Sequence, residues 1–303
     1  MRLTLNAMCL LPRGVGDPLL RRLTRVTEND LSGIVVKVAD TVPDLLASAR
    51  LVHDMYVARG LIEPKPSGMR ATPHLLLPST ATFIAQRGEE IIGTLSLVVD
   101  SQLGLPMEKA FPAEVQAVRA AGRKTAEVGA LCVTDRFRSR GVSYLLNKLM
   151  WRCAREVYGI DDLLISVVPP ADALYRAALL FRPLGAKRRH PSVKNGVVTI
   201  PMTLDLRTAP EIYRSTFGEE PSGDNPYHRY CLLAESQLQM PSPASLLQAT
   251  EARREAAARL ANACATGLDA LDVSQLRKLV EAAGLDPSNL PLRSVAVGTA
   301  GAK

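Results

Sequence analysis

Residues 127–145 read E-V-G-A-L-C-V-T-D-R-F-R-S-R-G-V-S-Y-L, and no other stretch constrains the fold of this chain so tightly. Val128, Ala130, Leu131 and Val133 form an apolar, strand-like run that ends in a basic turn from Arg136 to Gly141. The turn opens directly into a helical pattern carried by Leu145, Leu146, Leu149, Met150 and Cys153. Strand, basic turn and helix N-terminus in immediate succession suit a phosphorylated carrier, because the N–H groups of a first helical turn lack intrahelical partners and point at the ligand.

The flanking segments place that unit in a sheet. Residues 33–39 (G-I-V-V-K-V-A) read as a strand, and Asp40-Thr41-Val42-Pro43 supplies a cap and a helix-start proline. The helix that follows carries Leu45, Ala49, Val52, Tyr56 and Val57 and ends near Gly60. A long Pro-containing connection (63–80) precedes two strands, 82–86 and 91–99, that flank a turn at 87–90. A helix near 113–121, the strand 125–133 and the helix 142–158 follow. Next come a buried strand at 162–168, an amphipathic stretch at 171–181 and a strand at 197–206. Pro201 interrupts that last strand and predicts a sheet edge or a bulge.

The order β-α-β-β-α-β-α-β-α-β predicts an α/β (α+β) domain over 33–206. Residues 1–32 carry little periodicity and read as a loosely ordered leader. Residues 207–303 read as a mostly helical extension: irregular over 208–241, strongly helical over the Ala-, Glu- and Arg-rich 242–265, helical again near 274–283. The long helix is expected to cover the domain.

The formal charge of +7 favours an anionic partner. Aromatic residues make up only 4%, too few for stacking on single-stranded nucleic acid, so no nucleic-acid role is expected. Five widely spaced cysteines without a C-x-x-C, and four scattered histidines, fit a reducing cytoplasm and argue against a disulfide framework or a metal centre. No apolar run approaches the ~20 residues of a membrane span.

Arg138-Ser139-Arg140-Gly141-Val142-Ser143 resembles the R/Q-x-x-G-x-G/A signature of the GNAT acyltransferase superfamily, with Ser143 at the second small position. Three further stretches narrow the resemblance: L-P-S-T-A-T-F-I-A at 77–85, S-L-V-V-D-S-Q-L-G-L-P-M-E at 96–108, and A-E-V-G-A-L-C-V at 126–133. Together they resemble the N-acyl amino acid synthases, typified by the long-chain N-acyl tyrosine synthases and related to acyl-homoserine lactone synthases. The resemblance spans roughly 35–206. It implies a GNAT-type mixed sheet flanked by helices. It also implies transfer of a long acyl group from an acyl carrier protein thioester, or from acyl-CoA, to the α-amino group of a free amino acid. No tightly bound cofactor is implied, since the acyl-phosphopantetheine is a substrate. Acyl carrier proteins are acidic, which the basic charge suits.

Forming an amide from a thioester requires a held phosphate, a deprotonated amine, a stabilised oxyanion and a leaving thiolate. The backbone of Arg138, Ser139, Arg140, Gly141, Val142 and Ser143, with Arg136 nearby, is expected to hold the donor. Glu127, a carboxylate opening an apolar strand, is the candidate base. Backbone N–H groups at Leu131, Cys132 and Val133 are the candidate oxyanion donors. The resemblance assigns Tyr175 to the leaving thiolate. Arg70, in the long loop, is the candidate partner for the acceptor's carboxylate. The Cys132 thiol is not read as a nucleophile, because no histidine lies near it in sequence. Competing readings are a lactone synthase, an acetyl-CoA-dependent N-acetyltransferase and a non-catalytic GNAT-like binding module.

Overall fold

The computed structural model describes residues 13–22, 31–169, 171–191, 196–222, 224–263, 268 and 271–285. Its centre is a mixed sheet built from β1 (Ile34–Val38), β2 (Thr80–Arg87), β3 (Glu90–Val99), β4 (Thr125–Val133), β5 (Asp162–Val167) and β8 (Val198–Asp205), in that spatial order. Two short strands, β6 (Arg182–Pro183) and β7 (Arg188–Arg189), flank β8. All pairings are antiparallel except β4 with β5. The helices are α1 (Arg13–Arg22), α2 (Val42–Ala58), α3 (Pro112–Ala120), α4 (Val142–Glu156), α5 (Ala171–Leu179), α6 (Ala209–Phe217), α7 (Pro243–Ala263) and α8 (Val273–Ala283).

Helix α2 starts where the sequence places it. Thr41 Oγ1 accepts from the Asp44 N–H, and Pro43 fills the first turn, where a missing N–H costs nothing. Helix α4 lays Val142, Leu145, Leu146, Leu149, Met150 and Cys153 against one face of the sheet, where they join Phe83, Leu95, Leu97, Leu163, Ile165 and Met202 in the main core. Its approach to β3 depends on Gly93. A Cβ there would stand 2.9 Å from Val142 Cγ1 and 3.1 Å from Leu146 Cδ1.

Strand β8 is not an edge, contrary to the expectation from Pro201. It pairs with β5 on one side and with β6 and β7 on the other. The Leu184 N–H donates to the Pro201 carbonyl, so Pro201 turns its backbone polar atoms toward the outer flank. There the two short strands leave residues 200–201 without a ladder partner, and the proline nitrogen faces that gap.

Two described parts of the terminal segments form regular structure where the sequence pattern is weak. Within the stretch read as a leader, α1 docks onto α5 through Leu20, which packs with Ala173 and Ala177. Within 208–241, read as irregular, Thr208 and Pro210 start helix α6. The chain then runs along the outer edge of β1, where the Val36 N–H donates to Gln237 O and the Gln239 N–H donates to Val36 O. An otherwise open sheet edge is thereby covered. Lys148 of α4 donates to Leu233 O at 2.7 Å and stands 3.7 Å from Glu235, pinning the same segment from inside. Helices α7 and α8 bury Ala252, Ala256, Leu260, Leu279 and Ala283 in a second core shared with Leu45, Leu46 and Ala49 of α2. No helix among the described residues is long and apolar enough to cross a membrane.

Replacing Gly93 with Ala should destabilise the fold by about 1–3 kcal/mol, the usual cost of overpacking, as read by chemical denaturation. A change below about 0.5 kcal/mol, the range of an ordinary surface substitution, would show that α4 can move away freely.

Candidate functional site

Strands β4 and β5 run parallel only from Thr125–Asp162 to Glu127–Leu164. Beyond that point β4 continues to Val133 and β5 to Val167 without pairing, so the sheet opens along a seam. On the opposite side of β4 the register with β3 shifts between Thr94–Cys132 and Ser96–Gly129, leaving Ala130 and Leu131 opposite Leu95. Ala130 takes φ = 52°, a left-handed conformation that a non-glycine residue adopts at a cost of about 1–3 kcal/mol and that recurs at functional sites. This bulge bends β4 at the seam. Residues 128–131 accordingly stay partly exposed inside a strand whose two ends are buried.

A cavity opens on each side of this strand. The smaller, about 180 Å³, lies on the α4 face and is lined by Leu131, Ser139, Gly141, Ser143, Tyr175 and Tyr230, among others. Gly141 caps α4 with φ = 80° and offers no side-chain acceptor, so the first-turn N–H groups are left for a ligand. No acidic residue stands in that turn to compete with an anion. Tyr175 packs edge-on against Phe181 at 5.6 Å. Burial raises the pKa of its hydroxyl above the ordinary tyrosine value, so it keeps its proton at neutral pH.

The larger cavity, about 780 Å³, lies on the other face between the sheet, α2, the 61–75 loop and α7. This is ample for a ligand of drug size or larger. Glu127 forms part of its wall. The side chain is 7% exposed, and Oε2 accepts from the Met107 N–H at 2.7 Å. Burial pushes its pKa up to about 8, against the opposing pull of that hydrogen bond and with a small push from Glu108. Glu127 therefore exchanges its proton near neutrality.

The register explains which other groups share this wall. Thr82 pairs with Ser96, Ser96 with Gly129, Glu127 with Leu164, and Ser166 with Pro201. Because opposite residues share a face and alternate residues return to it, Thr82, Ser96, Glu127, Ser166 and Thr199 form a polar row on the cavity side. All five line the cavity. The buried atoms Ser166 Oγ and Thr199 Oγ1 have no protein partner there. Burial, with Lys109 nearby, pushes His74 down to about 4 and keeps it neutral. Arg70 also lines this cavity, with its guanidinium 4.4 Å from the centre of the Tyr56 ring.

The residues singled out in sequence thus fall on two sides of one strand. Leu131, Ser139, Gly141, Ser143 and Tyr175 meet at the smaller cavity, while Glu127 and Arg70 stand at the larger. Cys132 and Val133 turn their side chains into the core, and burial raises the Cys132 thiol to about 11, where it is inert. Val142 is likewise a core side chain, so only its backbone can serve a ligand. The arginines of the turn do not converge as expected: Arg138 pairs with Asp135, Arg136 lies over Phe137, and neither they nor Arg140 line the small cavity. Sequence reasoning passed over His74, Ser166, Thr199, Tyr230 and Arg253, which line the cavities from distant segments. For Ser166 and Thr199 the strand register was the one usable signal; the others had none.

The family model for the N-acyl amino acid synthase FeeM matches residues 47–205. The solved structure of FeeM, an N-acyl amino acid synthase from uncultured soil microbes, is 27% identical with a TM-score of 0.52 and covers 59% of this chain and 93% of its own. BjaI, a CoA-dependent acyl-homoserine lactone synthase, is 17% identical with a TM-score of 0.46, over 72% of this chain and all of its own. A GNAT-family acetyltransferase from Streptococcus pneumoniae is 12% identical with a TM-score of 0.41, over 57% and 98%. No curated protein matches. The chain belongs to the FeeM family of N-acyl amino acid synthases and is an acyltransferase with a GNAT-like fold.

Proposed function

We propose that this acyltransferase moves a long-chain acyl group from a phosphopantetheine thioester, carried by an acyl carrier protein or by CoA, to the α-amino group of a free amino acid. The observation that carries the reading is the seam between β4 and β5. It has an uncapped helix N-terminus and a tyrosine on one side, and a carboxylate poised near neutrality on the other. The donor's phosphate sits on the backbone of 138–143, and the pantetheine arm lies in the small cavity. The thioester crosses the seam at Leu131, and the acyl chain enters the large cavity beside the acceptor. The +7 charge supports an acidic carrier protein as donor.

In the reaction the amine lone pair attacks the thioester carbon and a C–N bond forms. Backbone N–H groups along β4 at 131–133 steady the oxyanion, and Glu127 takes the proton that the nitrogen sheds. The C–S bond then breaks, and Tyr175 gives its proton to the sulfur. Arg70, half-buried at the larger cavity, draws in the anionic acceptor.

Mass spectrometry of lipid extracts from cells expressing the chain should reveal a new N-acyl amino acid. Its absence, together with turnover of acetyl-CoA, would instead support an acetyltransferase; a new acyl lactone would support a lactone synthase.

With the purified enzyme, kcat/KM should rise with pH through about 8 as Glu127 becomes a base. Glu127→Gln should lower it by about 10²–10³-fold and abolish that inflection. Lys148 titrates in the same range, so an inflection that survives in the Gln variant would remove Glu127 from the mechanism. His190, lowered from its ordinary value, titrates on the acid side. Stability gives an independent sign. The folded pKa of Glu127 lies above its unfolded value, so its contribution is full below about 4.5 and lost as pH rises through about 8. Glu127→Gln should therefore gain stability relative to the parent as pH rises from 5 to 9.

Tyr175→Phe should slow turnover by about tenfold or more, with KM for the amino acid unchanged. Full activity in that variant would leave Tyr175 as a core ring.

A further inference from the structure

The larger cavity contains a cation that the fold does not neutralise. Arg253 of α7 is 3% exposed and lines the cavity. Its Nη1 donates to Leu75 O at 2.7 Å and its Nη2 to Thr82 Oγ1 at 3.1 Å. Among the described residues no carboxylate pairs with it. The hydroxyl of Tyr158 is the group that acts on it electrostatically, and Glu127 feels Glu108 rather than this guanidinium. A buried charge without a counter-ion is costly, and an arginine cannot shed its proton to escape that cost as a lysine or histidine can. Neutral acceptors occupy two of its five donors and leave the charge itself uncompensated.

Its position relative to the base is also informative. Thr82, on which Nη2 rests, lies on β2, two strand spacings across and two residues along from Glu127 on the same cavity-facing row, roughly 12 Å from backbone to backbone. Glu127 and Arg253 both line the one cavity, so an amino acid held amine-first at Glu127 shares that space with the guanidinium. Thr82 and Ser96 line the floor between, and His74 lines the same space.

We propose that Arg253 is the seat of the acceptor's carboxylate, so that the C-terminal extension, which lies outside the family-matched residues 47–205, completes the acceptor site. This rests on the N-acyl amino acid synthase reading. Arg70, at the larger cavity and stacked on Tyr56, then attracts the anion, and Arg253 fixes it with its amine toward Glu127. The chemical class of the acceptor follows: a free α-amino acid rather than an amine, an amino amide or a peptide N-terminus.

The test is steady-state kinetics of the full chain with the amino acid it acylates best and with the primary amide of that amino acid. The parent should prefer the acid over the amide by roughly tenfold or more in KM, the worth of one charge-assisted hydrogen bond. Arg253→Met should raise KM for the acid by a similar factor and leave the amide within about twofold, collapsing the preference. Arg253→Lys should restore part of it. A parent that takes acid and amide equally overturns the proposal, and this outcome does not depend on whether the variants fold. Equal losses on acid and amide in Arg253→Met, which a merely structural tie between Leu75 and Thr82 would produce, overturn it too. So does collapse of the preference in Arg70→Gln but not in Arg253→Met. A parent that acylates no amino acid sinks the underlying reading and this proposal together.

Discussion

The parting of β4 from β5 after Glu127 is the constraint on which the rest of the structure depends. A sheet ordinarily keeps neighbouring strands about 4.8 Å apart and hydrogen-bonded along their length. Here three residue pairs hold, and beyond them the two strands no longer pair with each other. The unpaired edge would be a liability in solvent, but it lies between two cavities, where a ligand can use it. The left-handed Ala130 is the local strain associated with that geometry. Strain of this size persists where the surroundings over-determine it, and the β3 ladder on one side with α4 packed beneath does so.

Opposite electrostatic demands are met on the two faces of one strand. On the α4 side stand an uncapped helix end and a protonated tyrosine, suited to the proposed anionic donor and departing sulfur. On the other, a desolvated carboxylate is held near its point of proton exchange, with two guanidinium groups lining the same space. Burial causes both effects: it raises Glu127 and leaves Arg253 in need of an anion. The extension is integral to this arrangement. It supplies Tyr230 to the small cavity and Arg253 and Leu260 to the large one, and it shares a core with α2.

Much of this was legible in the chain, for identifiable reasons. Strand β4 and the start of α4 are marked by an abrupt change from apolar run to basic turn to 3.6-residue periodicity, which is local information. Thr41 and Pro43 announce α2 by their own chemistry. Pro201 misled because a proline reports a missing donor without saying which flank lacks a partner, and that depends on two short strands elsewhere in the chain. Helix α6 carried a start signal in Thr208 and Pro210 that was outweighed by the mixed composition around it. At the site, Glu127 stood out as a charge in an apolar strand. Ser166, Thr199 and His74 did not, because a lone hydroxyl or imidazole acquires meaning only when strand register and loop packing bring it to the same wall. Arg253 was hidden within an Ala-, Glu- and Arg-rich helix whose other charges face solvent.

The most direct test of the account is a crystal structure of the protein with a non-cleavable acyl-pantetheine phosphate in which a methylene replaces the thioester sulfur. The phosphate is expected on the backbone of 138–143, the carbonyl at the β4–β5 seam beside Leu131, and the acyl chain in the cavity bounded by α2 and α7. A phosphate bound away from the start of α4, or an acyl chain that stays on the α4 side of the sheet, would contradict it.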